Sequence, residues 1–118
     1  MPFSNDDIES IKKAKAIIDS DISRHFTIGD IARQVALGET KLKQGFRKLY
    51  GGGLYTYLRE TRMIKAMELV TETDKPFKQV AKACGFSHSS NFITAFIKYH
   101  HTSPGKARLA GKFKNPPA

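Results

Sequence analysis

Thr40, Lys43, Gln44 and Arg47 recur at the i, i+3, i+4, i+7 spacing that puts four side chains on one stripe of an α-helix. The ammonium of Lys43 can donate to guanine, the carboxamide of Gln44 can pair with two edge atoms of adenine, and the guanidinium of Arg47 suits guanine or a phosphate. A second set lies farther along: Ser89, Ser90, Asn91 and Thr94, with His88 before them, are short and uncharged. Ser90 has an alternative use as a cap of its helix start. Candidates for holding phosphates are Lys41, Lys48, Lys78, Lys98, Lys106 and Arg108, helped by backbone amides at the helix starts near Thr27 and Pro76. Neutralising about six phosphates would give a log–log salt slope near −5. The competing reading of either stripe is a solvated polar face.

Other chemistry is poorly supplied. His25, His88, His100 and His101 lack metal-ligand spacing, because adjacent residues do not share a helical face. Cys84 repeats the position of Val35 and reads as a packing thiol. Gly51-Gly52-Gly53 has no following Lys-Ser/Thr, so it is not a phosphate loop. Phe26, Phe46, Phe86, Phe92 and Phe96 sit at core spacing and form no stacking platform for single strands. No nucleophile–base–acid set can be assembled. Catalysis is not expected, and no metal or cofactor is called for.

Charge points to an anionic partner. The chain of 118 residues carries a net charge of +9, unevenly spread. Residues 1–40 hold 5 bases and 7 acids, whereas residues 41–118 hold 15 bases and 4 acids, with no acid after Asp74. A chain needing only solubility would mix its signs. This one keeps a basic stretch of the kind that phosphates require; the alternative is a solvated basic surface. No run approaches eighteen apolar residues, so a membrane span is not expected. The N-terminal Met1–Ser10 stretch has acids where a signal peptide needs bases. One cysteine fits a reducing compartment.

The elements that must position these groups are all helical. Ser4-Asn5-Asp6-Asp7 predicts a helix start, and Ile8, Ile11, Ala14 and Ile18 continue it to about Asp19. Thr27…Asp30 has the capping-box form and opens a short helix with Ile28, Ile31, Ala32 and Val35 on one face. Gly38 breaks it. A second helix buries Leu42, Phe46 and Leu49 and stops at Gly51. The longest periodic segment runs from Leu54 to about Thr71, with Leu58, Met63, Ala66, Met67, Leu69 and Val70 as apolar positions. Pro76 precedes a helix with Phe77, Val80, Ala81 and Cys84, ended by Gly85. Ser87 or His88 caps the next, with Phe92, Phe96 and Tyr99 inward. Ser103-Pro104 starts a last short helix to about Leu109, and the tail from Gly111 to Ala118 is expected to be loose.

Two halves of this chain repeat. Ile31-Ala32, Val35 and Leu37 match Val80-Ala81, Cys84 and Phe86 at an offset of 49, and Leu42, Phe46, Lys48 and Leu49 match Phe92, Phe96, Lys98 and Tyr99 at an offset of 50. Each copy is a short helix, a tight turn and a longer helix, the helix-turn-helix layout. A linker helix of about 18 residues spans roughly 27 Å, and the flanking motifs would bring the outer helices to about 34 Å apart, one turn of duplex. The expected architecture is all-α with about seven helices. It comprises an N-terminal helix-turn-helix subdomain over 1–52, a linker helix over 53–73, a C-terminal helix-turn-helix subdomain over 74–110 and a loose tail over 111–118.

From Ile8 to Leu109 the sequence resembles the DNA-binding domain of the AraC/XylS family of bacterial transcription regulators. The resemblance rests on TIGDIARQVALGETKLKQGFRKLYG, on YLRETRMIKAMELV with Arg62 followed by Ala66, and on KPFKQVAKACGFSHSSNFITAFIKYHHTSP with its Val80-Ala81, Gly85-Phe86, Ser87, Ser90, Phe92, Phe96, Lys98 and Ser103-Pro104. Departures are His101 for a usual Gly, Ala107 for a common aromatic, Ile97 for a frequent Lys, and the extra glycines Gly52-Gly53. The resemblance implies sequence-specific binding of double-stranded DNA, two recognition helices in successive major grooves, and base reading from the stripes named above. It implies a bacterial, cytoplasmic, nucleoid-associated regulator, monomeric as this chain, which is either a single-domain member or the DNA-binding piece of a longer regulator that could dimerise through an effector domain outside it. It makes Arg62 notable, either in an ion pair or on a phosphate. The first alternative is a helical protein-interaction module docking an acidic partner such as a face of RNA polymerase or another regulator, and a third reading is non-specific binding of RNA or single strands.

Overall fold

A computed structural model describes residues 2–114, which contain seven helices and no strand. The chain forms two compact units, Met1–Arg59 and Glu60–Ala118.

The first unit holds α1 (Asn5–Ser20), α2 (Ile28–Gln34), α3 (Glu39–Tyr50) and the opening turns of α4 (Leu54–Glu72). The Asp7 amide donates to the Ser4 hydroxyl and the Ser4 amide to the Asp7 carboxylate, a reciprocal cap on α1. Thr27 caps α2 by accepting from the Asp30 amide at 3.1 Å. Ile11, Ala14 and Ile18 of α1, Ile31, Ala32 and Val35 around α2, Leu42 and Phe46 of α3, and Leu54 and Leu58 of α4 form one core with Phe26. Gly45 lets α3 lie close on α1, since a Cβ there would stand 2.2 Å from Ile11 Cδ1. Lys15 pairs with Asp19 at 2.8 Å, and the Tyr57 hydroxyl donates to the same carboxylate, tying α4 to α1.

The second unit holds the rest of α4, α5 (Phe77–Ala83), α6 (Ser89–His100) and α7 (Pro104–Lys114). Its core joins Met63, Ala66, Leu69 and Val70 to Val80, Ala81, Cys84, Phe92, Phe96 and Ala107. Burial pushes the Cys84 thiol up to about 11, as suits a packing group.

The repeat extends to single hydrogen bonds. Leu37 N–H donates to Ala32 O and Phe86 N–H to Ala81 O, each at 2.9 Å. Gly51 N–H donates to Arg47 O and His101 N–H to Ile97 O, each at 2.8 Å. Each of these four turns carries a residue with positive φ: Ala36 at 54°, Gly85 at 87°, Gly51 at 78° and His101 at 60°. His101 thus occupies a left-handed C-terminal position where a side chain costs about 1 kcal/mol. His101→Gly is expected to stabilise the second unit by up to about 1 kcal/mol, read as a higher denaturation midpoint at unchanged slope. A lower midpoint would mean that the imidazole makes compensating contacts.

Two expectations need correction. Tyr99 was expected inward but is 38% exposed. His100 takes the inward place, its ring 4.5 Å from that of Phe96 and its Nε2 2.9 Å from the Met63 carbonyl oxygen. A partly polar ring wins there because α4 offers it an acceptor. The last helix does not end near Leu109 but continues to Lys114. Gly111 is no terminator: lacking a side chain, it sits where a Cβ would be 3.2 Å from Thr71 Cβ, so the helix passes close over the end of α4. The remainder of the expected tail, 115–118, lies outside the described residues.

Candidate nucleic-acid interface

In the first unit, α3 buries Leu42, Gly45 and Phe46, and this fixes the opposite face. Thr40, Lys43, Gln44 and Arg47 are all exposed. Lys43, Gln44 and Arg47 also line one side of a groove of about 530 Å³, whose other side is Ile28 with Gly53, Leu54, Tyr55 and Thr56 at the start of α4. No acid lines it. The Tyr55 hydroxyl accepts from the Ile28 amide at 3.1 Å, joining α4 to the first turn of α2. Tyr55 and Thr56 were not among the expected site residues. Their type and position give no signal until α4 is folded beside α3.

In the second unit, α6 buries Phe92 and Phe96 and begins after His88, whose side chain makes no capping bond. Ser90, Asn91 and Thr94 are exposed and Ser89 is half-buried. Ser90 is not the cap residue; its carbonyl accepts from the Thr94 hydroxyl at 3.0 Å. Carried through strictly, the offset of 50 puts Ile93 and Ile97 where α3 has Lys43 and Arg47. Ile97 is 44% exposed.

Of the expected phosphate-holding residues, Lys48, Lys78, Lys98 and Lys106 are exposed. The other two are drawn into the fold. Lys41 pairs with Asp7 at 2.9 Å and holds that carboxyl below the usual carboxylate range. Arg108 Nε donates to the Val70 carbonyl at 2.9 Å and Nη2 to that of Lys75 at 2.8 Å, with its head 4.4 Å from the Phe77 ring centre. It closes the end of α4, a role suited to a guanidinium near orphan carbonyls. The amides at the start of α2 are also engaged, Ile28 by Tyr55 and Asp30 by Thr27. Arg62 is half-buried, its guanidinium laid against Gly85.

No group of three His, Cys, Asp or Glu among the described residues could hold a metal ion. None of the described helices is long and apolar enough to cross a membrane.

A helix-turn-helix domain family matches residues 31–110. The transcriptional activator RhaR of Klebsiella pneumoniae is 31% identical over 98 residues, which are 83% of this chain and 35% of that protein. A transcriptional regulator of Chromobacterium violaceum, described as AraC-type, superposes with a TM-score of 0.78 at 24% identity, covering 92% of this chain and 96% of that one. The DNA-binding domain of AdpA, solved in complex with a target DNA, superposes with a TM-score of 0.83 at 21% identity, over 92% of this chain and 98% of that one. These two likenesses speak for the fold. The chain spans about a third of the length of the curated relatives it matches, 31% of one and 35% of another. With a family match across most of its length, and with the fold and duplicated motif to go with it, the chain belongs to the AraC-type family of helix-turn-helix transcription regulators.

Proposed function

We propose that this chain is the part of a bacterial transcription regulator that binds double-stranded DNA sequence-specifically, with α3 and α6 entering successive major grooves. The observation that carries the reading is the α3 stripe: Thr40, Lys43, Gln44 and Arg47 are exposed together, on a helix whose other face is buried. In this reading Lys43 and Gln44 meet base edges, Arg47 meets a base or the flanking phosphate, and Ser89, Ser90, Asn91 and Thr94 serve α6. Lys48, Lys78, Lys98 and Lys106 position the backbone. Lys41 and Arg108 have their charges engaged within the fold and contribute less. Within a longer regulator, a separate domain would dimerise it and other surfaces would meet RNA polymerase. The setting is the bacterial cytoplasm, at the nucleoid.

Selection from a random duplex library tests this. The expected result is a bipartite site with halves about one helical turn apart; recovery of no enriched sequence would sink the proposal. Gln44→Ala or Lys43→Ala should relax preference at one half only and cost about 2 kcal/mol there. Lys98→Ala should weaken all sequences alike and flatten the salt slope by about one. An unchanged slope would remove Lys98 from the phosphate-holding set.

A further inference from the structure

We propose that α6 reads its half of the duplex through the 5-methyl groups of thymine, with Thr94 and Ile97 as the specificity-determining side chains. This rests on the DNA-binding reading above and adds to it. Leu42 and Phe46 of α3 and their counterparts Phe92 and Phe96 of α6 are all fully buried, so the two helices present the same register to their own cores. The outward positions of α3, Thr40, Lys43, Gln44 and Arg47, therefore correspond to Ser90, Ile93, Thr94 and Ile97. Where α3 holds out Lys43, Gln44 and Arg47, α6 has Ile93 half-buried against its own core and only the uncharged Thr94 and Ile97 exposed. Ile97 is a large apolar side chain left 44% exposed. One turn before it, the Thr94 hydroxyl spends its only hydrogen on the Ser90 carbonyl at 3.0 Å. What Thr94 can still offer a ligand is a methyl group and an acceptor oxygen.

The thymine methyl is the apolar feature of the base edges in the major groove, and threonine methyl and aliphatic groups are its natural contacts. Charge favours this occupant over an apolar protein surface. Lys98 adjoins Ile97 and is exposed, and the chain has no acid after Asp74. Small apolar groups bordered by cations suit a methyl-bearing polyanion.

The test uses the full chain and its selected duplex, with deoxyuridine replacing each thymidine in turn. The half read by α3 is assigned beforehand with Gln44→Ala. Removing a methyl should weaken binding about fourfold at one or two positions of the other half. Thr94→Ser, which keeps the hydroxyl and loses the methyl, should bind thymine and uracil equally at one of those positions, and Ile97→Ala should do so at the other. Both variants should keep the helical circular dichroism and the salt slope of the parent. Equal affinity for thymine and uracil throughout, with selective binding retained, overturns this inference and leaves the DNA-binding function standing; so would uracil sensitivity that survives both substitutions. Failure to select any duplex removes the function itself.

Discussion

Replacing Gly85 by alanine is expected to destabilise the second unit by about 2–3 kcal/mol, with the left-handed backbone supplying roughly 1–2 of it and crowding the rest. Gly85 has φ +87°, a conformation that L side chains rarely adopt. Its Cβ would also stand 2.8 Å from the guanidinium carbon of Arg62. That head group is half-buried and has interactions of its own, so its displacement is not free. Denaturant unfolding followed by circular dichroism reads the loss. A second variant separates its two sources. With Arg62→Ala as background, the crowding component should vanish and the backbone component persist, so the double variant is more stable than the two single losses predict by addition. Strict additivity would show that Arg62 and Gly85 are not energetically coupled. An unchanged midpoint for Gly85→Ala would contradict the turn geometry.

Gly45→Val should cost the first unit roughly 3 kcal/mol, at the upper end of what overpacking a core does. The new Cβ would lie 2.2 Å from the Cδ1 of Ile11, which is fully buried, and 3.2 Å from the Phe3 ring. α1 and α3 must separate or Ile11 must leave its rotamer. Gly45→Ala should be milder, because alanine recovers about 1 kcal/mol of helix propensity. Adding Ile11→Val to that variant removes the offending methyl and should raise the unfolding midpoint, although the same substitution alone lowers it. If Ile11→Val lowers stability equally in both backgrounds, the close approach of α1 and α3 is refuted.

What could be read from the residues alone was whatever depends on near neighbours. The Ser4–Asp7 cap, the Thr27 cap and the Gly51 stop each involve residues within four positions, and all three stand where local chemistry put them. The duplicated motif was legible because its core positions recur at a fixed offset. Contacts between distant residues were not. Nothing near Gly45 announces that Ile11 will press against it, and nothing near Arg108 announces the carbonyls of Val70 and Lys75. Tyr99 and His100 are adjacent and both amphipathic, so periodicity alone could not choose which turns inward; the Met63 carbonyl decides it. In α6 the arithmetic of the repeat already pointed to Ile93 and Ile97. Ser89 and Asn91 are polar, but they lie beside the stripe that corresponds to that of α3.

The unlike outward faces of α3 and α6 bear on orientation. Two identical subunits related by a twofold axis read a palindrome and sit on it equally well either way round. If α3 and α6 read the duplex as proposed, a single chain offering Lys43, Gln44 and Arg47 from one helix and Thr94 and Ile97 from the other has no such ambiguity. Its operator would have a head and a tail. A protein seated with one polarity on the duplex can tell upstream from downstream, so the asymmetry of the copies would give a promoter its direction without a second subunit.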